Sequence, residues 1–479
     1  MSCLKVSGTY FVDTGSNKPV ILLGAGLGGW MILIYTPNPG FPGCEFHIRE
    51  ALPKAIGADK ANLFFEKFLS HFFVEADAKF VKSLGLNCVR IAVNYHHFED
   101  DMNPRVLKED AFKHLDRVIS LCANEKIYTI IDLHSAQGGQ SGGWHADAGL
   151  HFGSFWKHKD FQDRFVWLWS QISERYKDNI WVAGYNLMNE PADPHPTHAG
   201  LINIYDRTVA TIRAIDTNHI LFLDGNTFAT DFTHFPSDPL KRWGTNIAFS
   251  IHDYSVFGFP SSPEPYTGSA EQKEKMYSTY ARKRQWMDER GLCVWNGEWG
   301  PVYGRREYDG DDTDDINQRR YAVLKDQLEM YRKDSLSWSI WLYKDIGFQG
   351  MVCVSQNTPY MTRFRSFLLK KHRMAVDAWG ADDKQVKHIY DPIISLIKDE
   401  IPSPEHRRLY PPIWSLENRV TRISRTILVA EFLVAEWAEM FVGLNDGEIE
   451  ALARSFRFEG CKKREELNEI LKANAAALG

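Results

Sequence analysis

Val182-Ala183-Gly184-Tyr185-Asn186-Leu187-Met188-Asn189-Glu190-Pro191 runs from an apolar, strand-like stretch directly into a carboxylate. Leu292-Cys293-Val294-Trp295-Asn296-Gly297-Glu298-Trp299-Gly300 repeats the arrangement about a hundred residues later. A carboxylate at the tip of a buried strand is costly unless something pairs with it. Outward from these two runs, six further short apolar segments read as strands: Val20–Gly24, Asn87–Val93, Tyr128–Leu133, Ile220–Leu223, Ile247–Ile251 and Ser337–Leu342. Amphipathic stretches separate them, at Asn62 to Leu84, Ala111 to Asn124, Phe161 to Tyr176, Leu201 to Ile215, Ala270 to Glu289 and Ile316 to Arg332. The link from Asn226 to Thr245 is only weakly helical. Eight βα units predict an α/β fold, a (β/α)8 TIM barrel with enlarged βα loops. A doubly wound open sheet is the alternative.

The residues that close the strands favour the barrel. Arg90, Asp132 with His134, Asn189 with Glu190, Asp224 with Asn226, His252 with Tyr254, Glu298, and Trp341 with Lys344 all fall at or just past strand C-termini. In a barrel that edge is a single ring, so these side chains converge. In an open sheet they would be strung along an edge. Beyond about residue 355 the pattern changes. Pro359 to Pro412 is rich in Lys, Arg, His and Pro, and Trp414 to Leu478 reads as helical. The expected division is a barrel over residues 1–370 and a helical extension, packed on it, over 371–479. One helix of this region must close the barrel.

Composition narrows the function. A net charge of -6 gives no footprint for nucleic acid. The apolar stretch Val20 to Tyr35 is too short and glycine-rich to span a membrane. No apolar core of a signal peptide comes after Met1-Ser2-Cys3-Leu4-Lys5-Val6, and the seven cysteines are scattered without a CxxC pair. Both point to a cytoplasmic protein with reduced thiols, or to a secreted one whose leader has been removed. Aromatic residues make up 13%, with 15 Trp, which fits either a large core or a cleft paved with rings; composition alone favours the core. Oligomeric state is not legible.

One motif misleads. Gly24-Ala25-Gly26-Leu27-Gly28-Gly29 matches the dinucleotide fingerprint G-x-G-x-x-G, with Glu45 downstream. The fingerprint needs a helix immediately after the glycines, and β-rich Trp30-Met31-Ile32-Leu33 stands there instead. The run is expected to be a barrel-mouth turn that presents Trp30 to the site, with no cofactor. His145, His151 and His158 have no zinc spacing, so no metal is expected. Asp311-Asp312-Thr313-Asp314-Asp315 reads as a solvated helix start.

Two carboxyl groups with split acidities suit glycosidic bond cleavage. A retaining glycosidase holds them about 5–5.5 Å apart, one protonated to aid the leaving oxygen and one ionised to attack the anomeric carbon. Arg90 and Tyr254 are candidates to keep Glu298 ionised, and His252 to contact Glu190. The Asn189 amide is placed for a sugar hydroxyl and Trp341 for a ring platform. Trp144, Trp299, Tyr303, Phe257 and Phe348 are either loop core or sugar contacts.

Asn189-Glu190-Pro191 on strand four and Glu298 on strand seven resemble glycoside hydrolase clan A. With Arg90, His134, His252, Tyr254 and Trp341 the set resembles family 5 of that clan. Leu23 to Trp30 and Asp132 to Gly142 are similar to its exo-β-1,3-glucanase and β-glucosidase branch. The resemblance, over about residues 8 to 350, implies a retaining double displacement with Glu190 as acid/base, Glu298 as nucleophile, a carbohydrate or glycoside substrate and no cofactor. That branch usually carries a glutamate shortly after Gly-Gly-Trp, where this chain has Met31-Ile32-Leu33-Ile34-Tyr35. Exo action on β-glucosides or short β-glucans is the expectation. An endo-β-glucanase or mannanase, and a non-catalytic carbohydrate-binding barrel, are the alternatives.

Overall fold

The eight apolar runs pair side by side and close on themselves. In the computed structural model, which describes residues 3–33, 40–376, 383–409, 411 and 414–478, they form one closed barrel. The strands are β1 (Leu23–Met31), β2 (Cys88–Asn94), β3 (Tyr128–Ser135), β4 (Val182–Asn186), β5 (Ile220–Asp224), β6 (Ile247–His252), β7 (Val294–Glu298) and β8 (Ser337–Ile340). Every neighbouring pair is parallel, and Trp338 opposite Leu23 joins β8 to β1. Strands buried on both faces read as continuous apolar runs, which is why they stand out in the sequence.

The glycine run is not a turn. Gly24 to Gly29 lies inside β1, with every residue buried. A Cβ on Gly24 would sit 2.3 Å from the Cys88 carbonyl oxygen, so glycine lets β1 approach β2. A Cβ on Gly26 would sit 2.6 Å from the Trp341 ring, so Gly26 makes room for that indole. Gly26→Ala is expected to destabilise the fold by about 1–3 kcal/mol, the usual cost of overpacking. It should also weaken substrate binding through Trp341; thermal melts and KM measure the two effects.

The helices are α1 (Glu45–Ile56), α2 (Ala58–Phe72), α3 (Glu75–Ser83), α4 (Lys113–Asn124), α5 (Lys159–Tyr176), α6 (Ala199–Ile215), α7 (Ala270–Asp288), α8 (Thr313–Lys333), α9 (Pro359–Arg373), α10 (Lys384–Glu400), α11 (Leu416–Ile423), α12 (Ala430–Glu439), α13 (Asp446–Arg454) and α14 (Glu465–Leu478). The continuous helix expected from Asn62 to Leu84 is instead α2 and α3. It breaks where Val74 turns extended and the Asp77 carboxylate accepts its N–H at 2.7 Å. A three-stranded antiparallel sheet, Leu4–Ser7, Tyr10–Asp13 and Lys18–Val20, precedes the barrel. Its Leu4 and Phe11 pack with Ile220, Phe222 and Trp295 in a separate core cluster.

Residue 370, the expected end of the barrel, falls inside α9, and one core continues across it. Phe41, Phe64, Tyr360, Phe364, Trp437 and Phe441 form an aromatic cluster that joins α2, α9 and α12. The short strand Cys461–Lys463 pairs with Val352–Val354 and draws the chain back to the barrel. α14 then packs along α8, and its Ala475 meets Gly85 just before β2. The helix that completes the ring is therefore α14, at the far end of the extension.

Candidate active site

β7 delivers Glu298 with its carboxylate already engaged. Arg90 on β2 donates from Nη1 to Glu298 Oε1 at 2.7 Å, and the Tyr254 hydroxyl donates to Oε2 at 2.9 Å. Arg90 is fully buried and spends its other donors on Asn186 Oδ1 at 3.0 Å, Asn189 Oδ1 at 2.8 Å and Asp132 at 3.1 Å. A planar guanidinium held on every side is a fixed counter-charge. Each Glu298 oxygen thus accepts from its own donor, and the carboxylate cannot swing away from the barrel mouth.

Glu190 stands across from it in a different setting. Its backbone leaves β4 with a positive φ of 45°, and its N–H donates to Asp224 Oδ2 at 3.0 Å. Asn186 donates to the other Asp224 oxygen at 2.8 Å, so β4 and β5 are tied together beneath the acid. His252 Nδ1 shares a hydrogen bond with Glu190 Oε1 at 2.7 Å, and His145 Nε2 lies 3.4 Å from Oε2. Burial raises the Glu190 pKa above the ordinary carboxylate value, against the pull of His145, Arg90 and Arg422. Burial also lowers His252, and takes His145 down to about 4. Both imidazoles are therefore neutral near pH 7 and can exchange a hydrogen bond with Glu190 without fixing its charge. One oxygen of Glu190 and one of Glu298 lie within 4.8 Å of each other.

The same two glutamates with His252 are the one donor cluster of metal-binding spacing among the described residues. Their grouping is already accounted for by the hydrogen bonds to Arg90, Tyr254 and the imidazole. His134 and Trp341 complete the floor. Their rings stack at 5.3 Å and 8°, and His134 shares a 2.7 Å hydrogen bond with Asp132. Burial takes His134 down to about 3 and Asp132 up to about 6. The Asn189 amide nitrogen is 3.3 Å from His134 Nε2, and Gln140 Nε2 donates to the His134 and Asn189 carbonyls.

Three residues expected at the cleft point elsewhere. Trp30 is wholly buried, and its indole N–H donates to the Leu69 carbonyl at 2.8 Å. Trp299, the neighbour of Glu298, is also wholly buried, edge-on to Tyr331 and Trp338. It lies just past β7 and turns outward, behind the barrel wall, against α8. Lys344 is fully buried against Asp77 at 2.7 Å, where it ties the exit of β8 to α3 rather than facing the cleft. Phe257, Tyr303 and Phe348 are loop core. Ile34 and Tyr35, in the stretch that departs from the exo-glucanase pattern, lie outside the described residues.

Trp144 does reach the site, and it brings residues that the strand ends could not indicate. It lines a cavity of about 420 Å³ beside Glu190, His252 and Tyr254, together with His145, Phe228, Trp414 and Arg422. His145, unconvincing as a zinc ligand by its spacing, is a partner of Glu190 instead. Phe228 is reached through three consecutive left-handed non-glycine residues, Thr227, Phe228 and Ala229, with φ of 54°, 61° and 57°. Each costs about 1–2 kcal/mol, strain of the kind that collects at functional sites. No sequence signal marks it, because glycine is the residue expected at such angles. A second cavity of about 400 Å³, lined by Tyr303, Arg305 and His372, contains neither glutamate.

The chain resembles known proteins both in sequence and in fold. Residues 61–347 match the cellulase family, glycosyl hydrolase family 5. A beta-xylosidase of Phanerodontia chrysosporium is 61% identical over 477 residues, 99% of each chain. A probable glucan 1,3-beta-glucosidase A of Aspergillus clavatus is 27% identical over 250 residues, 51% of this chain and 58% of that protein. Among solved structures, an endogalactoceramidase shares the fold with a TM-score of 0.52 at 16% identity, covering 72% of this chain and 75% of its own. With two strand-end glutamates at the mouth of a closed eight-stranded barrel and a family match spanning most of that barrel, the chain belongs to glycosyl hydrolase family 5.

Proposed function

We propose that the protein is a retaining, exo-acting β-glycosidase whose first substrates are β-xylosides, with β-glucosides second. The observation that carries retention is the separation of the two carboxyl groups, with oxygens within 4.8 Å. Nearest oxygens this close match the carboxyl separation of about 5–5.5 Å in retaining enzymes better than the about 6.5–9.5 Å of inverting ones, and they suit direct attack by one carboxylate. Glu298, held by Arg90 and Tyr254, is the nucleophile. Glu190, its acidity weakened by burial, first donates a proton to the leaving oxygen and then takes one from water. The sugar preference is supported by the name of the 61% identical relative, a beta-xylosidase. The likeness of Leu23 to Trp30 to the exo-glucanase branch supports β-glucosides, and at 27% identity that relative carries less weight. Among the described residues, no helix is long and apolar enough to cross a membrane.

The test is a panel of aryl β-xylosides, aryl β-glucosides and short β-linked oligosaccharides, with the first-formed anomer read by NMR. A β-anomer and single sugars from the chain end support the reading. An α-anomer overturns retention, and internal fragments overturn exo action.

A further inference from the structure

The cavity beside Glu190 is roofed by residues far outside the barrel. Trp414, Asn418, Arg422 and Arg425 all line it, and none falls within the segment that carries the family match. Ser415 starts α11 by accepting the Asn418 N–H at 3.1 Å, which fixes where Trp414 enters. After α11 the chain makes a six-residue π-helical stretch, Ser424–Val429, before α12. Such wide turns gather at functional sites because they re-aim side chains. Here the stretch carries Arg425, whose Nη1 donates to the Ala375 carbonyl at 2.7 Å and whose Nη2 pairs with Asp383 at 3.1 Å.

The wall so formed is aromatic. The Trp414 ring stacks on Phe228 at 5.7 Å and 22°, and the Arg422 guanidinium lies 4.4 Å from the Trp144 ring and 4.9 Å from Trp414. Three rings from three parts of the chain, two of them bridged by one cation, border the cavity that Glu190 lines. The sugar floor, His134 with Trp341, is a separate stacked pair. Glu190 lines the same cavity as Trp414 whereas His134 and Trp341 do not, so a group lying against Trp414 is on the acid/base side, which is the position of a leaving group.

Resting on the proposed glycosidase reading, we propose that the C-terminal extension builds the leaving-group site and that Trp414, with Phe228 and Trp144, selects glycosides of flat aromatic alcohols. A cavity of about 420 Å³ is large enough for a small aglycone. Flat rings stack on such a wall with offset geometry, whereas an aliphatic alcohol gains little there.

The experiment compares kcat/KM for the phenyl and methyl β-glycosides of the sugar that the wild type cleaves best. The phenyl-to-methyl ratio is expected to fall about 10- to 100-fold in Trp414→Ala, as stacking and apolar contact are lost. Trp414→Phe should keep most of the ratio, and Phe228→Ala should lower it by an independent route. Thermal melts establish that each variant is folded. The aglycone has left before the second chemical step, so kcat for a dinitrophenyl glycoside, limited by that step, should hold steady as kcat/KM drops. Equal losses on phenyl and methyl substrates, or an unchanged ratio in both alanine variants, overturn this proposal alone. A wild type that cleaves neither glycoside overturns the glycosidase reading and this proposal with it.

Discussion

Glu298→Ala is expected to lower turnover on an aryl β-glycoside by about 10⁵-fold or more, the scale of loss when a catalytic nucleophile is removed. That corresponds to roughly 7 kcal/mol of lost transition-state stabilisation. The variant should remain folded, because Arg90 keeps Asp132 at 3.1 Å and the Asn186 and Asn189 amide oxygens. Its stability should fall by no more than about 3–5 kcal/mol, the range for breaking a buried pair. Shortening the side chain leaves a small hole on the face from which Glu298 attacked. Azide entering that hole should restore turnover and give an α-glycosyl azide from the β-glycoside, with one inversion in place of two. NMR of the product reads the anomer. Wild-type rates in Glu298→Ala without azide would exclude Glu298 as the nucleophile.

Glu190→Ala should behave in the opposite way. The loss should be about 10²–10⁴-fold on a phenyl glycoside, which needs a proton, and small in the first step on a dinitrophenyl glycoside, which does not. Glu298 still forms the glycosyl-enzyme, so azide should now give a β-glycosyl azide. The pH profile carries a second readout. The acid must be protonated, so wild-type kcat/KM falls as pH rises through the Glu190 pKa. Because burial raises that pKa, the fall should come above the ordinary carboxylate range. Glu190→Ala should lose that alkaline limb. A limb that persists unchanged in Glu190→Ala would assign it to another group.

Much of the site was legible because it sits at strand ends. Asn189, Glu190, His252, Tyr254 and Glu298 are polar residues closing apolar runs, and a closed parallel barrel turns those positions into one ring; Arg90, expected there too, lies inside β2 and reaches the ring from within the barrel. Trp30 and Trp299 mislead for the same reason in reverse. Both lie near strand ends in the chain, but their indoles turn away from the barrel mouth and are wholly buried. His145 gives no such signal because it lies in a long loop, where spacing carries no information about direction.

Local pattern was enough to place the eight-stranded barrel and the two glutamates at its strand ends, since both depend on apolar runs of strand length and the residues that end them. The rest came from packing between distant segments. Whether a glycine run is a turn or a strand depends on the backbone and ring it faces, here Cys88 and Trp341. That α14 closes the ring and Trp414 roofs the cavity depends on contacts between segments more than a hundred residues apart. Helical periodicity reports that a face is apolar, and only the packed molecule shows what covers it.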